Sequence, residues 1–250
     1  MTPPSLDAIV IGSGPNGLAA AIELARSGHS VRVIEAADEI GGGTRNAELT
    51  LPGFVHDVCS AVHPMGILSP FYSQLPLADH GLVWIRPQAS VAHPLDDGPH
   101  VLLYRSLERT AAGLGRDADA YRRLVGPFVE RAMDLLGDAM APLRIPRHPI
   151  LMARFGLRAA FSANRLARLL FREERARALL AGCAGHSVLP LSQPLTAALG
   201  VLFAVTGHAE DWPVAQGGSQ AVTRALASYL RSLGGEIQTG WRIERLGELP

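Results

Sequence analysis

The chain has 250 residues, 48% of them hydrophobic, with 23 basic and 23 acidic residues and a formal net charge of zero. That length and apolar content suffice for one large or two modest cores and exclude an intrinsically disordered chain. Without net positive charge or a nucleic-acid-binding motif, the chain is not expected to partner RNA or DNA.

The first element is the apolar run Ala8-Ile9-Val10-Ile11, followed by Gly12-Ser13-Gly14-Pro15-Asn16-Gly17 and a helix-forming stretch from Leu18 to Arg26. A second apolar run, Val31 to Ile34, ends at Glu35, 23 positions after Gly12. Strand, glycine turn, helix, strand and acid in this order read as a dinucleotide-binding unit. Gly12 permits the tight exit from the strand, Gly14 lets backbone approach a pyrophosphate, and Gly17 lets the helix pack on the sheet. The helix N-terminus holds phosphate charge, with Ser13, Pro15 and Asn16 in the same turn, and Glu35 is placed to accept ribose hydroxyls.

Ala36 to Ile40 leads to a second cluster, Gly41-Gly42-Gly43-Thr44-Arg45. Exposed N–H groups there can bind an anion and Arg45 can add a charge-assisted contact; the alternative is an ordinary loop before a strand at Leu49 to Leu51. With this cluster the chain resembles the flavoprotein superfamily of amine oxidases and phytoene desaturases. In that superfamily Glu, Gly-Gly and Arg after the first motif bind FAD, which the resemblance assigns to Glu35, Ala36, Gly42, Gly43, Thr44 and Arg45. The segment Leu51 to Pro64 is similar to the one that approaches the flavin ring in phytoene-desaturase-like proteins, nearest the subgroup named for pyridine nucleotide-disulphide oxidoreductase domain-containing protein 2. The order Trp212-Pro213, Gly217 to Gln220, Gly234 to Ile237 and Gly240 to Leu246 resembles the returning strands of the same FAD domain. By the resemblance, Ile243 sits on a strand where its backbone reads the adenine edge.

Between these parts, Leu82 to Arg86, Ala89 to Pro94 and His100 to Tyr104 read as an antiparallel meander, interrupted at Pro87 and Asp96 to Pro99. From Ser106 to about Gly207 the pattern is helical, with breaks expected at Gly126-Pro127, 142–149, 182–185 and 190–194. The expected fold class is therefore α/β: a discontinuous, incomplete Rossmann-like FAD-binding domain over 1–65 and 208–250, around an inserted α+β, mostly helical substrate domain over 66–207. Within residues 150–180, Arg165, Arg168, Arg172 and Arg175 are spaced to share one helix face, with Leu166, Leu169 and Leu170 as an apolar flank. Such a helix can lie on an anionic membrane; the alternative is a solvated face of the substrate domain.

Catalytic residues are less legible. His56 and His63 flank the segment assigned to the flavin and could move protons, with structural hydrogen bonding as the alternative; His186 and His208 are weaker candidates. No metal-ligand spacing or nucleophile elbow is found, and no second GxGxxG for a nicotinamide domain, which leaves oxygen, a quinone or another acceptor as reoxidant. All basic residues are arginines, so neither Schiff-base chemistry nor the lysine–water pair of many amine oxidases can come from these residues. Cys59 and Cys183 form no redox pair, and both read as small buried hydrophobes in a reducing compartment. No signal peptide or spanning segment is expected, hence a cytoplasmic location, with peripheral membrane contact open.

The resemblance implies FAD-dependent hydride removal from a C–C or C–N bond of an apolar substrate, with a flavin amine oxidase as a variant. Relatives of that kind run to roughly twice this length, on the reasoning that two such domains exceed one domain's worth of residues. The chain is thus expected to be a fragment, half of a split enzyme, or a truncated protein acting as a non-catalytic nucleotide-binding module. In the last two cases a complementing C-terminal chain or a second copy would cover the sheet edge.

Overall fold

Two hydrophobic patterns, one strand-helix-strand and one helical, fold into two units in a computed structural model that describes residues 6–96, 98 and 100–249. One unit comprises residues 1–63, 74–85 and 214–250 and the other 64–73 and 86–213. The expected signal-peptide-free start, Asp97, Pro99 and the final residue fall partly or wholly outside the described residues.

In the nucleotide unit, β1 (Ala8–Ile11), α1 (Pro15–Arg26) and β2 (Val31–Ile34) form the expected crossover. β1 pairs in parallel with β2 (Ala8 opposite Val31), and β2 pairs in parallel with β9 (Glu236–Gln238), giving the order β1-β2-β9. Leu18, Ala21 and Ile22, spaced as one helical face, are fully buried, as are Val33 and Ile34. α10 (Gln220–Ser232) lies against α1 and adds Val222, Leu226 and Leu230 to this core. A hairpin of β3 (Asn46–Glu48) and β4 (Val55–Asp57) follows the second glycine cluster. Leu49 to Leu51, expected as a strand, form the bend of that hairpin, because the chain must reverse through Pro52 and Gly53, whose φ is +83°.

The expected meander is half formed. β6 (Val91–His93) and β7 (Val101–Leu103) pair as an antiparallel hairpin. β5 (Trp84–Ile85) instead pairs antiparallel with β8 (Val214–Ala215), about 130 residues away, where a two-residue strand gives little periodicity to read.

The second unit contains α2 (Pro64–Ile67), α3 (Leu107–Ala112), α4 (Ala118–Val129), α5 (Ala132–Ala139), α6 (Pro149–Ala159), α7 (Ala163–Leu170), α8 (Glu174–Gly185) and α9 (Thr196–Glu210). α9 is apolar on nearly every face and accordingly central, packed by α4, α6, α7 and α8. Gly207 brings it against Leu103, whose Cδ2 a Cβ would meet at 2.5 Å.

One expected helix break does not occur, and another falls only at its far end. α4 runs through Gly126-Pro127: the proline stands in its last turn, and the carbonyl four residues earlier, that of Arg123, accepts from Arg158 Nη2 at 3.4 Å. α8 runs through Gly182, where the missing Cβ makes room for the His93 ring, and stops at Gly185. The breaks at 142–149 and 190–194 are present, apart from Pro149 itself, which opens α6. The four arginines expected on one face do not share a helix. α7 ends at Leu170; Phe171 is extended (φ −118°, ψ 141°), and the buried Asp117 carboxylate accepts the backbone N–H groups of Arg172 and Glu173, which starts α8 anew. Arg165 and Arg168 thus belong to α7, and Arg172 and Arg175 lie beyond its end.

Candidate functional site

The glycine turn has the geometry its spacing predicts. Gly12 leaves β1 at φ +98° and donates its N–H to Ile34 O at 2.7 Å. Pro15 occupies the first turn of α1, which has no side-chain cap and no acid in its first turn, so its N-terminal amides suit an anion. A Cβ at Gly17 would lie 2.0 Å from Gly12 O, which fixes glycine there.

Gly42 to Thr44 form a single 3-10 turn, and it folds back onto the first one. A Cβ on Gly42, whose φ is +53°, would sit 3.1 Å from Gly14 Cα. Two turns 28 residues apart in sequence thus meet backbone to backbone, as a shared anion seat requires. Arg45 follows directly, exposed, its Nε donating to Gly42 O at 3.1 Å.

Glu35 joins the parts. Its Oε2 accepts from Ser13 N (2.8 Å) and Ser13 Oγ (2.6 Å), and Oε1 accepts from Ala37 N at 2.9 Å. Burial would raise this carboxyl, but the bonds from the Ser13 hydroxyl and the Ala37, Ser13 and Ala36 backbone outweigh it, so its pKa is lowered. An ionised carboxylate with acceptor capacity left suits a ribose diol. Beside it, Ala36, Asp38, Glu39, Arg45 and Asn46 help to line an open groove of about 530 Å³. A larger groove of about 650 Å³ has Glu39, Glu48 and Asp57 against Arg224 on its wall, a charge balance that disfavours a pyrophosphate. The residues that fit a dinucleotide are therefore those of the two glycine turns with Glu35, and not the lining of either acid-bearing groove.

Sequence reasoning missed the role of α10. Thr223 Oγ1 lies 3.1 Å from Thr44 Oγ1, and Gln220 Nε2 donates to Glu39 Oε2 and Ile40 O, which holds the second glycine turn in place. The N-terminus of α10 is in turn held by Asn46 Oδ1, accepting from Gln220 N, and Asp57 Oδ1, accepting from Ser219 N. Polar residues just before the helix at 217–220 were the available signal; their partners, more than 150 positions away, were not readable.

Ile243 does not lie on a strand. β9 stops at Gln238, Trp241 N donates to Glu35 O, and 241–245 are irregular before a 3-10 turn at Leu246–Glu248. Glu244 N bonds to the Glu248 carboxylate, and among the described residues no strand pairs with this segment.

The two histidines are separated in role. His56 sits in the β3–β4 hairpin with Nε2 2.8 Å from Thr50 Oγ1. His63 Nε2 lies 2.9 Å from Ser219 Oγ, whose own proton goes to Ser60 O, so His63 donates from Nε2 and keeps Nδ1 as an acceptor. Burial lowers its pKa against the opposing charge of Asp57, which keeps the ring neutral near pH 7. His186 stacks on Phe203 and meets Trp212 edge-on, and His208 is buried in the helical unit. Cys183 is buried as expected, but Cys59 is exposed beside Gly43. Among the described residues no His, Cys, Asp or Glu cluster could hold a metal, and no helix is long and apolar enough to cross a membrane.

Residues 10–75 match the model of the NAD(P)-binding Rossmann-like domain family. Over 94% of its length the chain is 29% identical to pyridine nucleotide-disulfide oxidoreductase domain-containing protein 2 of Rattus norvegicus, covering 47% of that protein. Over 95% it is 27% identical to hydroxyneurosporene desaturase of Cereibacter sphaeroides, covering 50% of it. Cyclohexylamine oxidase from Brevibacterium oxydans shares the fold, with a TM-score of 0.53 and 19% identity over 97% of this chain and 52% of that one. The chain spans about half the length of the curated relatives it matches over nearly its whole extent.

Proposed function

We propose that this chain, a member of the superfamily that holds the phytoene desaturases and the amine oxidases, binds FAD at the paired glycine turns and serves hydride removal from an apolar substrate. The contact of Gly42 with Gly14 carries this reading, because a second backbone turn closing on the first makes one seat for a pyrophosphate lying between adenosine and riboflavin. Ser13, Gly14, Asn16 and Gly17 present α1's N-terminus to the phosphates, Glu35 accepts the ribose hydroxyls, and Gly42 to Arg45 cover the second phosphate. Ile243, beyond the Trp241–Glu35 bond, is assigned to the adenine end by resemblance alone.

When bound, FAD supplies the hydride acceptor. Loss of hydrogen across a C–C bond also releases a proton, and neutral His63 is preferred to His56 to take it because the Ser219–Ser60 bond fixes its tautomer with Nδ1 as acceptor. The desaturase reading is preferred to an amine oxidase because the desaturase relative aligns over 95% of the chain in sequence, whereas the amine oxidase likeness is one of fold.

Titration of the purified chain with FAD, NAD and ADP-ribose tests the assignment. Saturable FAD binding with quenched flavin fluorescence, tighter than that of NAD, is expected; equal affinity for NAD would sink the flavin reading. Glu35→Ala removes the ribose acceptor and unpins Ser13, and should weaken FAD by about 10- to 100-fold, the effect of losing one or two charged hydrogen bonds. Arg45→Ala, acting from an exposed position, should cost about 10-fold and lose that effect at high salt.

A further inference from the structure

Between Asp138 and Glu173 the chain contains seven arginines and no acidic residue. Of these, Arg147, Arg154, Arg158, Arg165, Arg168 and Arg172 have no carboxylate within ion-pair distance among the described residues, and Arg144 reaches Asp138 only at 3.9 Å. The same stretch carries its apolar side chains outward. Leu143 and Ile145, in the loop before α6, are 107% and 88% exposed, and on α6 Ile150 and Leu157 are 72% and 74% exposed. Ile150, Arg154 and Leu157 follow helical spacing on the face opposite Leu151, Phe155 and Ala159, which are buried.

That outward face is continuous with α7. Leu157 and the 67%-exposed Leu169 line one groove of about 440 Å³, whose floor is Phe161, Leu166 and Leu170 and whose rim carries Arg123 and Arg158. The loop is not loose: Asp138 accepts the backbone N–H groups of Arg147 and His148 at 3.0 and 2.7 Å, which pins the segment that presents Leu143 and Ile145.

We infer that this face, from Leu143 through α6 to Leu169, docks on the surface of an anionic lipid bilayer. Exposed leucine and isoleucine side chains reach the acyl boundary while unpaired arginines meet lipid phosphates. Charge complementarity selects this occupant over a second copy of the chain, since two such faces would set twelve arginines against each other with no acidic residue between Leu143 and Leu169 to offset them. Attachment is peripheral, because α6 and α7, of 11 and 8 residues, are too short to span the hydrocarbon core.

Co-sedimentation of the full 250-residue chain with phosphatidylcholine vesicles, with and without phosphatidylglycerol, tests this. The expected result is binding that needs phosphatidylglycerol and weakens at least 10-fold between low and physiological salt. Two variants separate the contributions: L143D/I145D removes the apolar contact and R147E/R154E the charge, and each should reduce bound protein at least 10-fold with an unchanged far-ultraviolet circular dichroism spectrum. Absence of binding to phosphatidylglycerol vesicles, or binding unaffected by both variants, overturns the inference. So does a dimer in sedimentation velocity that L143D/I145D dissociates, because the face would then be an interface between copies.

Discussion

Gly17→Ala is expected to abolish FAD binding and to destabilise the nucleotide unit by about 3 kcal/mol, at the upper end of overpacking costs. The added Cβ would lie 2.0 Å from Gly12 O and 3.1 Å from Gly12 C, and neither atom belongs to a side chain that could swing away. Relief requires α1 to lift from β1, which opens the contacts of Leu18, Ala21 and Ile22, all fully buried, and moves the helix N-terminus out of line with the phosphates. Urea unfolding and fluorescence titration with FAD read the two effects. Gly156→Ala is the control: it lies within α6 with nothing inside 4 Å of the new Cβ, and should stabilise by about 0.5–1 kcal/mol through helix propensity. Wild-type affinity and stability in Gly17→Ala would refute the packing of α1 on the turn.

The second large effect is acid instability of the helical unit. The Tyr121 hydroxyl, fully buried, bonds His208 Nε2 at 2.8 Å, and His208 Nδ1 faces Arg105 O at 3.2 Å. With Nδ1–H donated to the carbonyl, Nε2 accepts from the tyrosine, so the native state holds the neutral ring. Burial pushes its pKa down to about 4 from 6.5, against the favourable backbone carbonyls of Arg105 and Tyr104. The unfolded chain therefore binds more protons than the native one between pH 6.5 and 4. Stability is full above 6.5 and falls through that window, by about 3 kcal/mol on reaching pH 4. His93, in the same unit and lowered by burial, acts in the same direction, and His63 does so in the nucleotide unit. His208→Gln should be less stable at pH 7.5, because its amide fits the two partners poorly, but should show a distinctly shallower loss toward pH 4. A wild-type unfolding midpoint equal at pH 7.5 and pH 5 would contradict this account.

What could be read beforehand follows sequence distance. β1, the glycine turn, α1, β2 and Glu35 lie within 28 residues, and every constraint on them is local: φ at Gly12, the Cβ at Gly17, alternation in short apolar strands. The second glycine turn was legible as a turn, and its contact with Gly14 only through resemblance. α10's hold on Thr44 and Glu39, and the pairing of β5 with β8, depend on loop closures longer than 100 residues, for which two- and three-residue strands leave almost no pattern. Proline misled in a different way. Pro127 reads as a break, yet it costs α4 little because Arg158, 31 positions later, satisfies the carbonyl it orphans. The spacing of Arg165, Arg168, Arg172 and Arg175 was periodic, but one carboxylate, Asp117, reset the chain at Phe171.

The bond from Ser13 to Glu35 has a further meaning for the order of events at the nucleotide seat. Ser13, Glu35, Ala37 and Gly41 are already joined by hydrogen bonds within the chain, Gly41 N reaching Ser13 Oγ at 3.4 Å. A ligand arriving there has little backbone left to immobilise, so most of its contact energy would remain as affinity and the seat should keep its shape when the ligand leaves.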